Sequence, residues 1–344
     1  MFTDRASLAG DRKPCCCIIQ SMLWIILLTL GLAVFFLLGP RLRLDDSPVE
    51  SRVPLVEGDQ LHKLGEWIDA CEAEFKDIIP GTQAHIQWAN PENPQKTPLC
   101  FLYVHGFSAT WKETHPVTES LAWRYNANVL QARIAGHGMD PHHMRSTARE
   151  WLESMRDCWD ISRQIGDRVV VVATSTGAPL SVWLTSLPGA AEKIHAFLFM
   201  SPNFRVRLPI APILTWPWAR YWIRFLIGSH RKWKPENEEV AKYWTYEYST
   251  KALMEMQSVV DWFQHQDISQ QKIPLAVMYM KNDPTISFEA AVAGYHAWGA
   301  MDKALIPVEI DGDAIQHVFA GDIMAPHRTD WVVDRFDEFL KKLK

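Results

Sequence analysis

Three residues of this sequence, Ser175, Asp283 and His317, have the types and the chain order that nucleophilic catalysis uses. A serine hydroxyl is a poor nucleophile unless a base removes its proton, and a histidine that is oriented by a carboxylate is such a base. Each of the three follows a predicted β-strand. We therefore expect the three side chains to meet at one edge of a sheet, where they could carry out acyl transfer.

The residues around Ser175 favour a sharp turn between a strand and a helix. Four valines, 169–172, precede it, and apolar residues at helical spacing follow it from Leu180. A nucleophile on such a turn needs small residues two positions before and two positions after it, so that strand and helix can approach each other. Ala173 and Gly177 occupy these positions. An isolated serine of this kind is usually structural, so the assignment depends on its partners.

Two backbone N–H groups would stabilise the negative charge that develops on an attacked carbonyl oxygen. Thr176 directly follows the serine and is expected to supply one of them from the start of its helix. Phe107, in the stretch YVHGF, is expected to supply the other, and Gly106 lets the chain pass close by. His105 and His137 lie in nearby loops, and we expect them to hold these loops by hydrogen bonds.

The predicted elements that position these residues alternate between strands and helices. The strand candidates are apolar throughout, which indicates strands that are covered on both faces. Helical stretches such as 146–166 and 328–343 separate most of them. This pattern predicts an α/β fold with a mainly parallel central sheet and helices on each side. The strand candidates are 101–107, 127–134, 169–175, 196–201, 275–280 and 305–310.

A connection of about 70 residues, 205–272, interrupts the alternation, and connections of this length are usually functional insertions or lids. We expect a helical cap over the carboxyl edge of the sheet, where open α/β folds bind ligands. Three of its tryptophans, Trp216, Trp218 and Trp222, are predicted to contact an apolar substrate. Packing of the cap on the core would account for them equally well.

The first 60 residues are predicted to lie outside this domain, which we place at 61–344. Residues 22–39 are eighteen positions without a charge, enough for a helix of about 27 Å, close to the hydrocarbon thickness of a membrane. We expect a transmembrane anchor here, between an N-terminal segment 1–21 and a charged, proline-containing linker 40–60. A cleaved signal peptide is one alternative, although the run ends in GPR without a small-x-small cleavage site, and a buried helix is the other.

Basic residues do not decide the orientation of this anchor, because three lie on each side of it. In a bacterial cell a single N-terminal anchor would place the following domain in the periplasm. The run of cysteines 15–17 lies at the membrane boundary, where acylation and apolar packing are both possible interpretations.

Composition indicates a globular protein without a nucleic-acid partner. The chain has 344 residues, of which 48% are hydrophobic, and its formal net charge is −5. There is no basic excess that would attract a polyanion. The six cysteines show neither a metal-site spacing nor a disulfide framework.

The sequence from about Leu99 to Lys344 resembles the α/β-hydrolase superfamily, in particular its cap-bearing carboxylesterases and monoacylglycerol-lipase-like enzymes. Five motifs stand in the family's order: HGF at 105–107, GHG at 136–138, ATSTG at 173–177, NDPTI at 282–286 and HVFAG at 317–321. The resemblance implies a sheet of about eight strands, a lid after the strand that ends near Ser201, and no metal or organic cofactor. Ala173 departs from the family, which usually has glycine there.

Other positions for the acid and the base are less favourable. Family members sometimes place the acid after the preceding strand, but that segment here, 201–204, reads SPNF and holds no carboxylate. Asp283 is therefore the expected acid. His327 begins the final predicted helix, so His317 is the expected base. The adjacent histidines 142–143 lack ligand spacing and are predicted to lie in a surface loop.

These features predict a membrane-anchored serine hydrolase that cleaves carboxylic esters, with monoacylglycerols or lysophospholipids as candidate substrates. The same fold and triad also serve proline-type aminopeptidases and acyltransferases. Glu236, Glu238 and Glu239 in the cap keep open the capture of a free amine. A non-catalytic, membrane-tethered binding protein is the remaining alternative, which only Ala173 supports.

Overall fold

The computed structural model describes residues 14–140, 144–309 and 315–343 of the chain. The predicted surface loop with the histidines 142–143 lies outside the described residues. The first half of the chain contains, in order, α1 (Pro14–Leu37), α2 (His62–Ala73), β1 (His85–Gln87), β2 (Thr97–Val104), α3 (Val117–Arg124), β3 (Asn128–Gln131), α4 (Ala148–Ile165) and β4 (Gly166–Thr174).

The second half begins with two short helices after β4 and continues through the region predicted to be a cap. Its elements are α5 (Gly177–Trp183), α6 (Ala190–Lys193), β5 (Ile194–Met200), α7 (Ala219–Ile227), β6 (His230–Lys232), α8 (Glu238–Tyr243), β7 (Glu247–Ser249), α9 (Thr250–Gln264), β8 (Leu275–Met280), α10 (Phe288–Ala297), β9 (Lys303–Val308) and α11 (Pro326–Leu340).

A mainly parallel sheet forms the centre of the fold, as the sequence predicts. Within the described residues it has seven strands, in the order β1-β3-β2-β4-β5-β8-β9, where the family resemblance implies about eight. Strand β1 runs antiparallel to β3, and the other neighbouring pairs are parallel. The carboxyl ends of β4, β5 and β8 therefore lie at the same edge of the sheet.

Helices cover both faces of the sheet, which is why the buried stretches of its inner strands, such as 169–173 of β4, are apolar without alternation. The side chains of β4 alternate between two cores because successive residues of a strand point to opposite faces. Val171 belongs to the same buried cluster as Trp151 of α4. Val172 belongs to the opposite cluster, which contains Phe336 of α11. The unbroken valine run is thus shared between two hydrophobic cores.

Three helices and a two-stranded antiparallel ribbon fill the connection between β5 and β8. The longest of these helices, α9, joins the main core through Met256, Val259 and Phe263, which are buried there. A backbone hydrogen bond from Thr245 N to Ser108 O, at 2.7 Å, ties this connection to the loop that follows β2. The connection therefore lies over the carboxyl edge of the sheet.

The first helix, α1, projects apolar side chains that the rest of the chain does not cover. Its stretch Ile19–Leu37 has 19 residues, a mean hydropathy of 2.2 and no buried position, so it is long and apolar enough to cross a membrane. A signal sequence near the N-terminus has the same properties. The helix ends at Leu37, two residues before the end of the predicted span.

The segment predicted to be a linker, 40–60, packs along the body of the protein. Its apolar residues Leu44, Val49 and Val53 are buried in the main core. Arg52 forms an ion pair with Asp157 of α4. Composition did not reveal this packing because these apolar residues are separated by charges and prolines. The segment 40–60 is therefore fixed to the predicted domain 61–344 by these contacts.

Candidate active site

Ser175 lies in a strained turn between β4 and α5. Its φ angle is +54°, in the left-handed region that non-glycine residues rarely adopt. Its backbone N–H donates to Met200 O on the adjacent strand at 3.0 Å, which fixes the turn to the sheet. A Cβ on Gly177 would stand 2.2 Å from Val104 O, so only glycine lets α5 approach β2 this closely.

Ala173, the departure from the family pattern, is accommodated without distorting this turn. It is fully buried and pairs with Val104 on one side and Phe199 on the other, in regular parallel register. Its methyl group points to one face of the sheet and is buried in the core there. The position therefore gives no support to a non-catalytic fold.

Asp283 and His317 meet at the same edge of the sheet. His317 Nδ1 lies 2.8 Å from Asp283 Oδ2 in a hydrogen bond. The other carboxylate oxygen accepts the backbone N–H groups of Thr285 at 2.7 Å and Ile286 at 3.0 Å. Ser201 Oγ donates to His317 O at 2.8 Å, which holds the histidine loop against the end of β5.

The surroundings of Asp283 keep its carboxyl ionised. Burial by itself would raise its pKa, but the charge and hydrogen bond of His317 and the N–H groups of Ile286 and Thr285 outweigh burial and lower the pKa. An ionised carboxylate accepts a hydrogen bond from Nδ1–H, which leaves Nε2 of the imidazole with its lone pair. His317 is thus in the tautomer that can accept a proton.

A cavity of about 340 Å³ brings the predicted site residues together. Ser175 and His317 both line it, and so do Phe107 and Thr176. His327, the alternative base, is in the first turn of α11 and lines a different depression beside Pro307.

The two predicted oxyanion donors lie beside the serine. Among the described residues, the backbone N–H groups of Phe107 and Thr176 donate to no other protein group. Gly106 lets the loop approach the turn, since a Cβ on it would stand 3.0 Å from Ser175 Cβ. The arrangement offers two N–H donors next to a hydroxyl group.

The fold has counterparts among solved structures. A metagenome-derived lipolytic enzyme, from a study of LipS and LipT, matches 77% of this chain and 99% of its own, with a TM-score of 0.60 and 18% identity. The monoacylglycerol lipase of Paleococcus ferrophilus matches 76% of this chain and 98% of its own, with a TM-score of 0.55 and 13% identity. A soluble variant of monoglyceride lipase from Saccharomyces cerevisiae, in complex with a substrate analogue, matches 76% and 91%, with a TM-score of 0.54 and 12% identity.

The chain has the α/β-hydrolase fold. One curated protein, the thermostable monoacylglycerol lipase of Bacillus sp. (strain H-257), is 28% identical over 100 residues, which are 29% of this chain and 40% of that lipase. The matched stretch thus spans less than half of its length. No protein-family model matches the sequence. The predicted resemblance to monoacylglycerol lipases and esterases of the α/β-hydrolase fold is confirmed.

Two buried histidines support the loops of the candidate site. His105 Nε2 accepts the N–H of Ile134 at 3.0 Å, and its Nδ1 lies 2.9 Å from Gly106 O. Burial lowers the pKa of His105 to about 3 and that of His137 to about 4. Both rings are therefore neutral at physiological pH, and their hydrogen bonds fix the loops, as expected from the sequence.

The three tryptophans predicted to contact substrate do not line the cavity; Trp233 and Trp244 do. Trp218 stacks on Phe35 of α1, with ring centroids 5.1 Å apart. Trp216 is exposed, and Trp222 of α7 packs against a small apolar cluster that includes Ile223 and Met254. The sequence did not distinguish the tryptophans that contact α1 from those that line the cavity. Trp218, early in the connection between β5 and β8, contacts α1, whereas Trp233 and Trp244, later in the same connection, line the cavity.

Sequence analysis missed several residues that line the cavity, and one of them, Glu113, is a buried carboxyl group. It is only 1% exposed, and its side chain lines the cavity beside Ser175. In the sequence it stands in the polar stretch WKETH, which is typical of a surface turn. No helical or strand pattern connects Glu113 with Gly106, seven residues before it, so the local sequence does not distinguish it from a solvent-exposed glutamate.

Proposed function

We propose that this protein is a serine hydrolase that cleaves carboxylic esters, with Ser175 as nucleophile, His317 as base and Asp283 as the acid that orients it. One observation carries the proposal: Ser175, at positive φ, opens on the same cavity as His317, whose Nδ1 is hydrogen-bonded to a buried Asp283. The similarity to lipases and esterases supports it.

The proposed reaction has two steps. His317 Nε2 takes the proton of Ser175 as its Oγ attacks the ester carbon, and the N–H groups of Phe107 and Thr176 stabilise the oxyanion. The ester C–O bond breaks, the alcohol leaves with the proton from His317, and an acyl-serine remains. Water, deprotonated by His317, then attacks the acyl carbon; the bond to Ser175 Oγ breaks, Oγ takes the proton from His317, and the carboxylic acid is released.

The proposed substrates are monoacylglycerols or other esters with one acyl chain. Trp233, Trp244 and Met256 give the cavity an apolar wall, and no lysine or arginine is among its described lining residues. An acyl chain gains free energy on leaving water for such a wall. An anionic phosphate group would find no cationic partner there, so neutral monoacylglycerols are favoured over lysophospholipids.

We propose that α1 anchors the enzyme in a membrane through Ile19–Leu37. Next to the end of this helix, the cap helix α7 exposes Tyr221, Phe225 and Leu226. An exposed aromatic and aliphatic face beside a membrane span is suited to the lipid–water interface. The domain would thus lie against the membrane, on its periplasmic side in a bacterial cell.

Labelling with a fluorophosphonate tests the nucleophile. The full-length protein in detergent is expected to form an adduct at Ser175, located by peptide mass mapping. Ser175→Ala is expected to abolish it, and Ser186→Ala, a change at an exposed serine shortly after α5, to retain it. A folded wild-type protein without an adduct would refute the proposal.

Amide hydrolysis is a second candidate because one acidic cap residue, Glu236, lines the cavity. A carboxylate there can bind the free amine of an aminoacyl substrate. Comparing p-nitrophenyl butyrate and glycerol esters with aminoacyl anilides distinguishes the two activities. Preferential turnover of the anilides, lost in Glu236→Gln, would assign the cavity to a peptidase.

A further inference from the structure

Glu113 is a buried carboxyl group that the proposed reaction does not use. Its Oε1 accepts the backbone N–H of Gly106 at 2.6 Å and the hydroxyl of Tyr103 at 2.8 Å. Tyr103 in turn lies 3.0 Å from Thr174 Oγ1, directly before the nucleophile. The carboxyl group therefore joins the oxyanion loop to the end of β4.

The backbone around Glu113 also contacts the loop that carries His317. Gly321, at φ +94°, is so close that a Cβ on it would stand 2.7 Å from Glu113 O. The N–H of Asp322 donates to His115 O at 2.8 Å. The segment that holds Glu113 is thus packed against both the oxyanion loop and the loop that carries His317.

The second carboxyl oxygen of Glu113 and the nucleophile both lie close to Gly106 and line the same cavity. The position that a Cβ would take on Gly106 is 3.3 Å from Glu113 Oε2 and 3.0 Å from Ser175 Cβ. Both of Glu113's hydrogen-bond donors bind Oε1, so a proton on the neutral acid would be carried by Oε2. The titratable groups that face the carboxyl are Tyr103 on β2 and His317 on its loop.

We propose that Glu113 is a positioning residue of the oxyanion hole: its neutral carboxyl fixes the Gly106 peptide so that the N–H of Phe107 faces the attacked carbonyl, and its ionisation lowers activity. The inference rests on the proposed hydrolase function. Gly106 N–H is bonded to Glu113, and the adjacent peptide N–H, that of Phe107, remains for the substrate.

The effect of ionisation follows from charge. Burial raises the pKa of Glu113 to about 7, against the hydrogen bonds from Gly106 and Tyr103 and the charge of His317, which lower it. The imidazolium formed during the reaction is already balanced by Asp283. A second negative charge beside the oxyanion loop repels the developing oxyanion, whereas the His317 charge that also acts on Glu113 is already paired with Asp283.

Two variants separate this role from simple packing. Glu113→Gln keeps the acceptor oxygen and a donor group but cannot ionise, whereas Glu113→Ala leaves Gly106 and Tyr103 without their acceptor. Glu119→Gln is the matched control: Glu119 lies on α3, pairs with His115 in the preceding turn and does not line the cavity.

The test measures kcat and KM for p-nitrophenyl butyrate below and above pH 7 in the full-length protein. Wild type and Glu119→Gln are expected to lose kcat as the pH rises through about 7, whereas Glu113→Gln keeps its plateau. Glu113→Ala is expected to lose on the order of 10²-fold in kcat at every pH, with little change in KM.

The outcomes distinguish the two proposals. If fluorophosphonate labels wild-type Ser175 but Glu113→Gln has the wild-type pH profile, the role of Glu113 is refuted and the hydrolase function stands. If wild type is not labelled, the hydrolase function is refuted, and this inference falls with it. Should Glu113→Ala fail to fold, the profile of Glu113→Gln still decides.

Discussion

Gly177 and Val104 are in such close contact that a Cβ on the glycine would stand 2.2 Å from the valine's carbonyl oxygen. Gly177→Ala is expected to push α5 away from β2, because backbone atoms on both sides cannot move independently. We expect a loss of about 2 kcal/mol or more in unfolding free energy, together with loss of fluorophosphonate labelling at Ser175.

The control for this change is Gly65→Ala in α2, where nothing lies within 4 Å of the added methyl group. It is expected to stabilise the protein by up to about 1 kcal/mol, since alanine favours helix. Denaturant unfolding of both variants measures the difference. Equal stability of the two would contradict the requirement for glycine at the turn.

Asp283→Asn is expected to lower kcat by a factor on the order of 10⁴, because the amide removes the charge that stabilises the imidazolium and favours the wrong tautomer of His317. The fold is expected to persist, since asparagine retains the size of the side chain. Asp330→Asn, on the exposed side of α11, is the control and is expected to keep full activity. Similar kcat values for both variants would show that Asp283 does not act in the reaction.

Trp233→Ala is expected to raise KM for long-chain monoacylglycerols about tenfold, with a smaller effect on p-nitrophenyl butyrate, because it removes part of the apolar cavity wall. Trp222→Ala is the matched control: Trp222, on α7, is also partly buried but packs against a separate apolar cluster and does not line the cavity. If Trp222→Ala has the larger effect on KM, the cavity wall has been assigned to the wrong tryptophans.

Trp218→Ala is expected to loosen the attachment of the cap to α1. The residue stacks on Phe35, and its backbone N–H donates to Pro40 O at 2.8 Å. We expect faster proteolysis between residues 38 and 60 in proteoliposomes, with hydrolysis of p-nitrophenyl butyrate unchanged. Trp123→Ala, an exposed tryptophan on α3, should cleave at the wild-type rate. Equal rates in both variants would show that the contact does not hold the segment.

Stability is expected to fall in mild acid because of two buried histidines. Their folded pKa values are lowered by burial from 6.5, to about 3 for His105 and about 4 for His137. The unfolded chain therefore binds protons that the folded chain excludes, so their contribution is complete above pH 6.5 and is lost as pH falls towards the folded values. The pKa of Glu113 is raised by burial, so its contribution to stability instead increases as the pH falls from about 7.

Urea midpoints over this pH range measure the effect in wild type and in His105→Gln. The variant is expected to be less stable at neutral pH, since it alters the hydrogen bonds of His105, but to lose less stability on acidification. A variant with the same slope as wild type would assign the acid sensitivity to other groups.

The sequence predicted the α/β fold well because the elements that build it have strong local patterns. The strand 275–280 coincides with β8, and the helix predicted at 146–166 corresponds to α4. The proximity of Asp283 and His317 was predictable because the ends of parallel strands bring residues that are distant in the chain to one edge of the sheet. The loops after β8 and β9 then place the two side chains within hydrogen-bonding distance.

Contacts between distant segments were not predictable in the same way. Glu113 is buried beside the oxyanion loop and the loop that carries His317, and the whole sheet determines how close these two loops come to each other. Which cap tryptophans contact α1 and which line the cavity depends on the path of the chain around Trp218, a residue in the left-handed conformation with φ +63°. Neither outcome has a signal within a window of neighbouring residues.

The segment after α1 does not behave as a flexible tether, since Leu44, Val49 and Val53 are buried in the core and Arg149 Nη1 donates to Ser47 O at 2.5 Å. With the proposed anchor in a bilayer, the distance between the lipid surface and Ser175 is then set by the protein itself. The enzyme would draw its substrates from lipid within a short, fixed radius, and its rate would depend on lateral diffusion in the membrane.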